Sequence, residues 1–212
     1  MAGTPVIGPL TGALRGSRPL ELHAVLNGTC AYILSEMEAG SSYDAALAAA
    51  QRLGYAEADP TLDVGGFDAA HKLTVLARLA FDPALRWDEV RAATRGIAEL
   101  TPARLAAARA EGERVRLVGS VYPEGGRWAA SVRPVRLPES HPLAAGSGNA
   151  LLYRGDPLGE VLVRGAGAGG PETASGVLGD LFAALEGRPG PRPLAEAAPV
   201  PAHPVRALEV LP

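Results

Sequence analysis

Between residues 54 and 72 the chain reads GYAEADPTLDVGGFDAAHK, and this segment gathers most of its acid-base chemistry. Glu57, Asp59 and Asp63 lead through Gly65-Gly66 to Asp68 and Lys72, whose four-residue spacing puts them on one face of a helix. Four acids near one amine can hold a small polar substrate beside a proton donor. The same i,i+4 pair is also a common surface salt bridge, contributing about 0.3–0.5 kcal/mol. The dense acidic loop, the two glycines and the apolar neighbours Ala69, Ala70 and Leu73 shift the reading toward an enclosed pair. Burial would favour a neutral amine, whereas nearby acids favour the ammonium and leave Lys72 poised as an acid. Glu57, Asp63 and Asp68 could instead, or also, bind the ammonium of an amino-acid substrate. A hard-cation site of carboxylate oxygens is a third reading, although the spacing lacks the Ca²⁺-loop pattern.

The remaining chemical signals are weaker. GAGAGG at 165–170 precedes a helical segment, so it reads either as an anion cradle of backbone N–H groups or as a tight turn. His23, His71, His141 and His203 fall in no metal or triad spacing. Cys30 and Ser35 have no neighbouring His with an orienting acid, which gives nucleophilic catalysis little support.

The elements that must position the acidic segment follow from periodicity. PLELHAVLNG (19–28) alternates as a half-buried strand and feeds a helix that Thr29 could begin and Gly40 stops. Ser42 reads as the N-cap of a helix over 43–53 that ends at Gly54 and delivers the chain into the acidic loop. Phe67–Leu79 is the next helix, Asp88 caps a short one at 89–94, and Thr101-Pro102 opens another through Ala110. RVRLVGSVYP and RWAASVRPVRL are strands about a Gly turn, and NALLYRGDPLGEVLVRG is a second hairpin. A last helix runs from about Glu172 to Leu185, and a Pro-rich, irregular tail follows Gly187. The class is α+β or mixed α/β, with a largely antiparallel sheet and helices packed on one face.

Composition narrows the function classes. With 212 residues, 47% of them hydrophobic, the chain can bury a core. A net charge of −3 gives no reason to expect nucleic acid or an anionic membrane as partner. No apolar run approaches the roughly 18–20 residues of a membrane span, and the N-terminus has no export-signal pattern. The single Cys30 rules out an intramolecular disulfide and fits a reducing cytoplasm.

Four blocks in order, LNGTCAYILSEME, AQRLGYAEADPTLDVGGFDAAHKLTVLA, NALLYRGDPLGE and GAGAGGPETASGVLGDL, resemble the catalytic domain of homoserine dehydrogenase. The resemblance covers residues 1–186 as a catalytic and dimerisation domain and leaves 187–212 as the tail. It implies NAD- or NADP-dependent interconversion of L-homoserine and L-aspartate 4-semialdehyde, on the way to threonine, methionine and isoleucine, by a homodimer. Lys72 then matches the proton donor and acceptor. Glu57 and Asp68 match the homoserine-binding acids, with Asp63 beside them, and Gly54 and Gly169 match positions touching the nicotinamide. Ala2 and Thr4 match two carbonyl ligands of a monovalent cation such as Na⁺.

The departures from the family pattern are equally specific. The family's Rossmann half, with its Gly-rich turn and a second Lys, is absent from this sequence, and Met1 falls where an internal residue would stand. Ala31 stands where many relatives have Asn in NGTxNYIL. A truncated reading frame with impaired activity is the expectation. The alternative is a non-catalytic amino-acid-binding or oligomerisation remnant.

Overall fold

The computed structural model describes residues 3–146, 148–201 and 208–211. Its organising element is β1 (Arg18–Val25), which pairs antiparallel with β2 (Glu113–Glu124) on one side and β4 (Asn149–Asp156) on the other. β2 turns at Gly125-Gly126 into β3 (Arg127–Pro138), and β4 turns into β5 (Gly159–Gly165). With β6 (Glu209–Val210) on the far edge, the order is β5-β4-β1-β2-β3-β6, and every strand pairing is antiparallel.

Among the described residues, seven helices between Ile7 and Ala110 pack on one face of this sheet, as the α+β reading expects, and an eighth, Gly170–Leu185, adds no buried residue to it. After α1 (Ile7–Thr11) and β1 come α2 (Gly28–Glu38), α3 (Tyr43–Arg52), the single turn α4 (Thr61–Val64) and α5 (Phe67–Ala80). The short α6 (Trp87–Ala92) and α7 (Pro102–Ala110) complete the layer, and α8 (Gly170–Leu185) follows β5. Helix α5 forms because Ala69, Ala70, Leu73, Leu76, Ala77 and Ala80 recur on one stripe, which buries against the sheet. Leu22 and Ala24 of β1, Val121 of β2 and Val132 of β3 meet that stripe in the main core. Each fully buried Leu or Val there contributes about 1.5–3 kcal/mol.

The other face of the sheet is covered differently. Val25, Val118, Val135 and Leu152 pack under Leu143 and Ala144, from the segment between β3 and β4. That segment is held by the buried Arg116, whose Nε donates to the Ala144 carbonyl at 3.1 Å.

Several boundaries differ from those expected. Helix α2 begins at Gly28, one residue before Thr29, and Asn27 caps it, because its side chain accepts the Cys30 N–H. Asp88 is no cap: α6 begins at Trp87 behind Arg86, and Asp88 lies within the first turn. Ser42 and Thr101 do cap α3 and α7. Helix α8 starts at Gly170, slightly earlier than Glu172. From 188 to 201 the backbone has no helix or strand, yet it is anchored. Ala198 donates its N–H to the Phe81 carbonyl and accepts from the Trp128 indole at 2.8 Å. No helix among the described residues is long and apolar enough to cross a membrane.

Candidate active site

The site starts where β1 runs out. Leu26 and Asn27 carry the chain from the central strand into α2, and Asn27 keeps an extended backbone (φ −131°, ψ 109°) suited to an N-cap. Its buried carboxamide accepts the Cys30 N–H at 2.8 Å. Its Nδ2 donates to Asp63 Oδ1 at 2.7 Å and to Asp68 Oδ2 at 2.8 Å. The first turn of α2 grips the acidic segment twice more. The Thr29 hydroxyl donates to the Tyr55 carbonyl at 2.6 Å, and the Cys30 thiol donates to the Asp63 carbonyl at 3.1 Å.

Two glycines then swing the chain from α4 into α5. Gly66 has φ +81°, and a side chain there would press on Thr94 and the Arg95 carbonyl, so the tight turn requires glycine. Immediately beyond it, Asp68 lies in the first turn of α5, where a carboxylate is favoured by the helix dipole. Lys72, one turn later, donates to Asp68 Oδ2 at 2.6 Å and to the Leu26 carbonyl at 3.1 Å. Both side chains are 31% exposed, so the pair is enclosed on one side and wet on the other.

Of the four acids in the segment, Asp63 and Asp68 meet the amine's cluster and the other two do not. Asp59 turns to its own loop, accepting the Thr61 N–H and hydroxyl, and these bonds hold its carboxyl below the ordinary range. Glu57 is exposed, and its backbone carbonyl accepts from Gln51 Nε2 at 3.1 Å. Sequence reasoning passed over Asn27 as a site residue. Its position between a strand and a helix was the available signal, since that is where a capping carboxamide belongs.

Gly54 ends α3 at φ +75° and is exposed, with no atom within 4 Å of where a Cβ would stand. Gly169 is the N-cap of α8 at φ +129°, and a Cβ there would collide with the folded-back Glu172 carboxylate. The Glu172 carboxylate thus folds back over that helix start, in the space an anion would take. Thr4 is buried, its hydroxyl donating to the Ala166 carbonyl at 3.0 Å and its carbonyl accepting the Val6 N–H at 2.9 Å. Ala2 lies outside the described residues. One carbonyl, already engaged, is not by itself a cation site. Among the described residues no three His, Cys, Asp or Glu side chains cluster to hold a metal.

Burial is the largest influence on Cys30. It pushes the thiol well above its ordinary range, with the Asp63 and Asp68 charges adding to the effect and Lys72 opposing it. The thiol therefore serves as a hydrogen-bond donor and not as a nucleophile.

Comparison with known proteins identifies the family of the chain. The homoserine dehydrogenase family model matches residues 5–182. A homoserine dehydrogenase from Mycobacterium leprae is 45% identical over 192 residues, covering 87% of this chain and 43% of the relative. A crystal structure of a homoserine dehydrogenase from Thiobacillus denitrificans superposes with a TM-score of 0.79 at 40% identity, covering 84% of this chain and 42% of that one. A hyperthermophilic archaeal homoserine dehydrogenase in complex with NADPH gives 0.75 at 34% identity, over 90% of this chain and 55% of its own. The chain thus spans less than half the length of the curated relative it matches.

Proposed function

Because the chain belongs to the homoserine dehydrogenase family, an oxidoreductase family, we propose that it carries the substrate half of a homoserine dehydrogenase site. The observation that supports this reading is the hydrogen-bonded series Lys72–Asp68–Asn27–Asp63, which links one partly exposed amine to two carboxylates. In this reading Asp63 and Asp68 bind the ammonium of L-homoserine or L-aspartate 4-semialdehyde, and Glu57 closes on it from the exposed loop. The reactive oxygen of the substrate then lies at Lys72.

Lys72 has three N–H donors, two of them engaged with Asp68 and the Leu26 carbonyl. The third donates to the aldehyde oxygen of the semialdehyde. As C4 gains a hydride, that oxygen gains negative charge, and transfer of the Lys72 proton gives the alcohol and a neutral amine. Solvent on the open side of the pair restores the proton. In the opposite direction the neutral amine takes the hydroxyl proton as the hydride leaves C4. A nicotinamide, of NADP or NAD, supplies or accepts that hydride when bound.

Gly54 and Gly169 are the positions proposed to meet the nicotinamide. The open backbone at Gly54 suits the approach of a flat ring. A dinucleotide's pyrophosphate is commonly held by a parallel βαβ unit with a Gly-rich turn. The antiparallel strands described do not form one, and in this proposal a nucleotide-binding half completes the site. Helix α8 offers it a surface: Val177, Leu178, Leu181, Phe182 and Leu185 are each at least half exposed, and no residue of the helix is buried. A monovalent cation on the Ala2 and Thr4 carbonyls would brace the segment that touches Ala166 and takes no part in proton transfer. A homodimer working in the cytoplasm, in biosynthesis toward threonine and methionine, completes the proposal.

Calorimetry on the purified chain tests the reading. L-Homoserine is expected to bind, whereas NADPH is expected to bind weakly or not at all until a nucleotide-binding half is supplied. NADPH binding without homoserine binding would sink it.

A further inference from the structure

We infer that Asn27 is the positioning residue that keeps Asp63 and Asp68 together as an anionic pair for the substrate's ammonium group, an inference that rests on the homoserine-binding reading. The side chain belongs to a residue only 4% exposed, and each of its polar atoms is engaged. Oδ1 accepts the Cys30 N–H, and Nδ2 donates to Asp63 Oδ1 and Asp68 Oδ2. The bond to Cys30 settles which end of the carboxamide faces the acids, because a backbone N–H can be met only by the oxygen.

The chemical reason for a carboxamide here is charge. Two carboxylates brought together without a donor between them repel or share a proton, and either outcome weakens their hold on a cation. A Lys or Arg between them would relieve the repulsion, but it would also cancel the charge that recruits an ammonium. The two hydrogens of one neutral NH₂ bridge both acids and cancel nothing. The bridging also selects the oxygens left for a ligand: Asp63 Oδ2 and Asp68 Oδ1 accept no hydrogen bond among the described residues.

The charged and titratable groups facing Asn27 come from three helices. They are Asp63 of α4, Asp68 and Lys72 of α5, and the Cys30 thiol of α2. Lys72 shares Asp68 Oδ2 with Asn27, so the same oxygen ties the proton-transfer group to the binding pair. A change at Asn27 therefore reaches substrate affinity directly and the amine through one shared atom.

The test titrates L-homoserine into the purified chain and its Asn27→Ala and Asn27→Asp variants at mildly acidic and mildly alkaline pH, with circular dichroism reporting the fold. Asn27→Asp keeps an N-cap acceptor and so preserves the start of α2. Asn27→Ala is expected to bind homoserine about 10- to 100-fold more weakly, the effect of removing a donor to charged acceptors. Asn27→Asp is expected to bind at least as weakly, with a further loss toward acidic pH that the parent does not show, because three unbridged carboxylates take up a proton. A purely structural role would lower stability without creating that pH dependence. A folded Asn27→Ala chain with parental affinity would overturn the inference. If the parent binds no homoserine, the functional reading fails separately, and the Asn27 side-chain amide protons decide the bridge by NMR. Slow exchange that is lost in Asp63→Ala and Asp68→Ala supports it, and fast exchange in the parent overturns it.

Discussion

Lys72 Nζ lies 2.6 Å from Asp68 Oδ2, one helical turn away on α5, and the two side chains are equally exposed. An ion pair that is this wet contributes little to stability, typically under about 1 kcal/mol. Lys72→Ala should therefore leave the melting temperature nearly unchanged. In an enzyme assembled with a nucleotide-binding half, it should lower turnover about 10²- to 10⁴-fold, the usual weight of a positioned acid-base group. Steady-state kinetics showing near-parental turnover would remove Lys72 from the role.

Glu57 separates binding from folding in another way. It is exposed and outside the hydrogen-bonded cluster, so Glu57→Gln should shift stability by no more than about 0.5 kcal/mol. Homoserine affinity should nevertheless fall about 10-fold as one charged contact to the ammonium is lost. Calorimetry beside a thermal melt measures both, and unchanged affinity would confine ammonium binding to Asp63 and Asp68.

Cys30 should be silent to thiol reagents. Burial, then the charges of Asp63 and Asp68, hold its thiol protonated, and its hydrogen goes to the Asp63 carbonyl. Iodoacetamide at mildly alkaline pH should leave the folded chain unlabelled and modify it completely in denaturant. Rapid labelling of the folded chain would contradict the closed packing at the start of α2.

Acid stability should depend on the opposite face of the sheet. Burial pushes the Glu21 carboxyl up, but His23 and Arg154 together more than offset this and hold it below its ordinary value of 4.5. A depressed carboxyl stabilises the fold above its unfolded value, and that contribution is lost as pH falls below about 4.5. His141 acts one window higher, because burial and neighbouring His23 hold its imidazole below 6.5, and falling pH through that value also costs stability. Glu21→Gln should lower stability by about 1–3 kcal/mol at neutral pH and flatten the loss below pH 4.5. Urea melts across pH would show an unchanged slope if the network is unimportant.

How much of this was legible follows from the range of each signal. The α5 stripe, the Ser42 and Thr101 caps and the Gly125-Gly126 hairpin turn depend on neighbours within a few positions, so periodicity and turn chemistry revealed them. The placement of β1 between β2 and β4 depends on partners such as Ser120 and Leu152 for His23, roughly a hundred residues away, and no local pattern encodes that distance. The acids stood out as charges, but only packing distinguishes Asp63, which reaches Asn27, from Asp59, which caps its own loop. Asn27 was overlooked because a carboxamide has neither charge nor period to mark it. The Pro-rich composition of the tail gave no sign of the Ala198 contacts with Phe81 and Trp128, or of β6 at the edge of the sheet.

The position of β1 has a consequence for the order in which the molecule opens. It is flanked by a strand on each side and covered on both faces, so its amides should be among the last to exchange with deuterium, while α8 and the 188–201 segment exchange early. Leu26 and Asn27 follow directly from that strand, which ties the carbonyl on Lys72 and the amide between the two acids to the sheet's central element. The periphery can then breathe, or rearrange around a partner, while the spacing of amine and carboxylates stays anchored to the central strand.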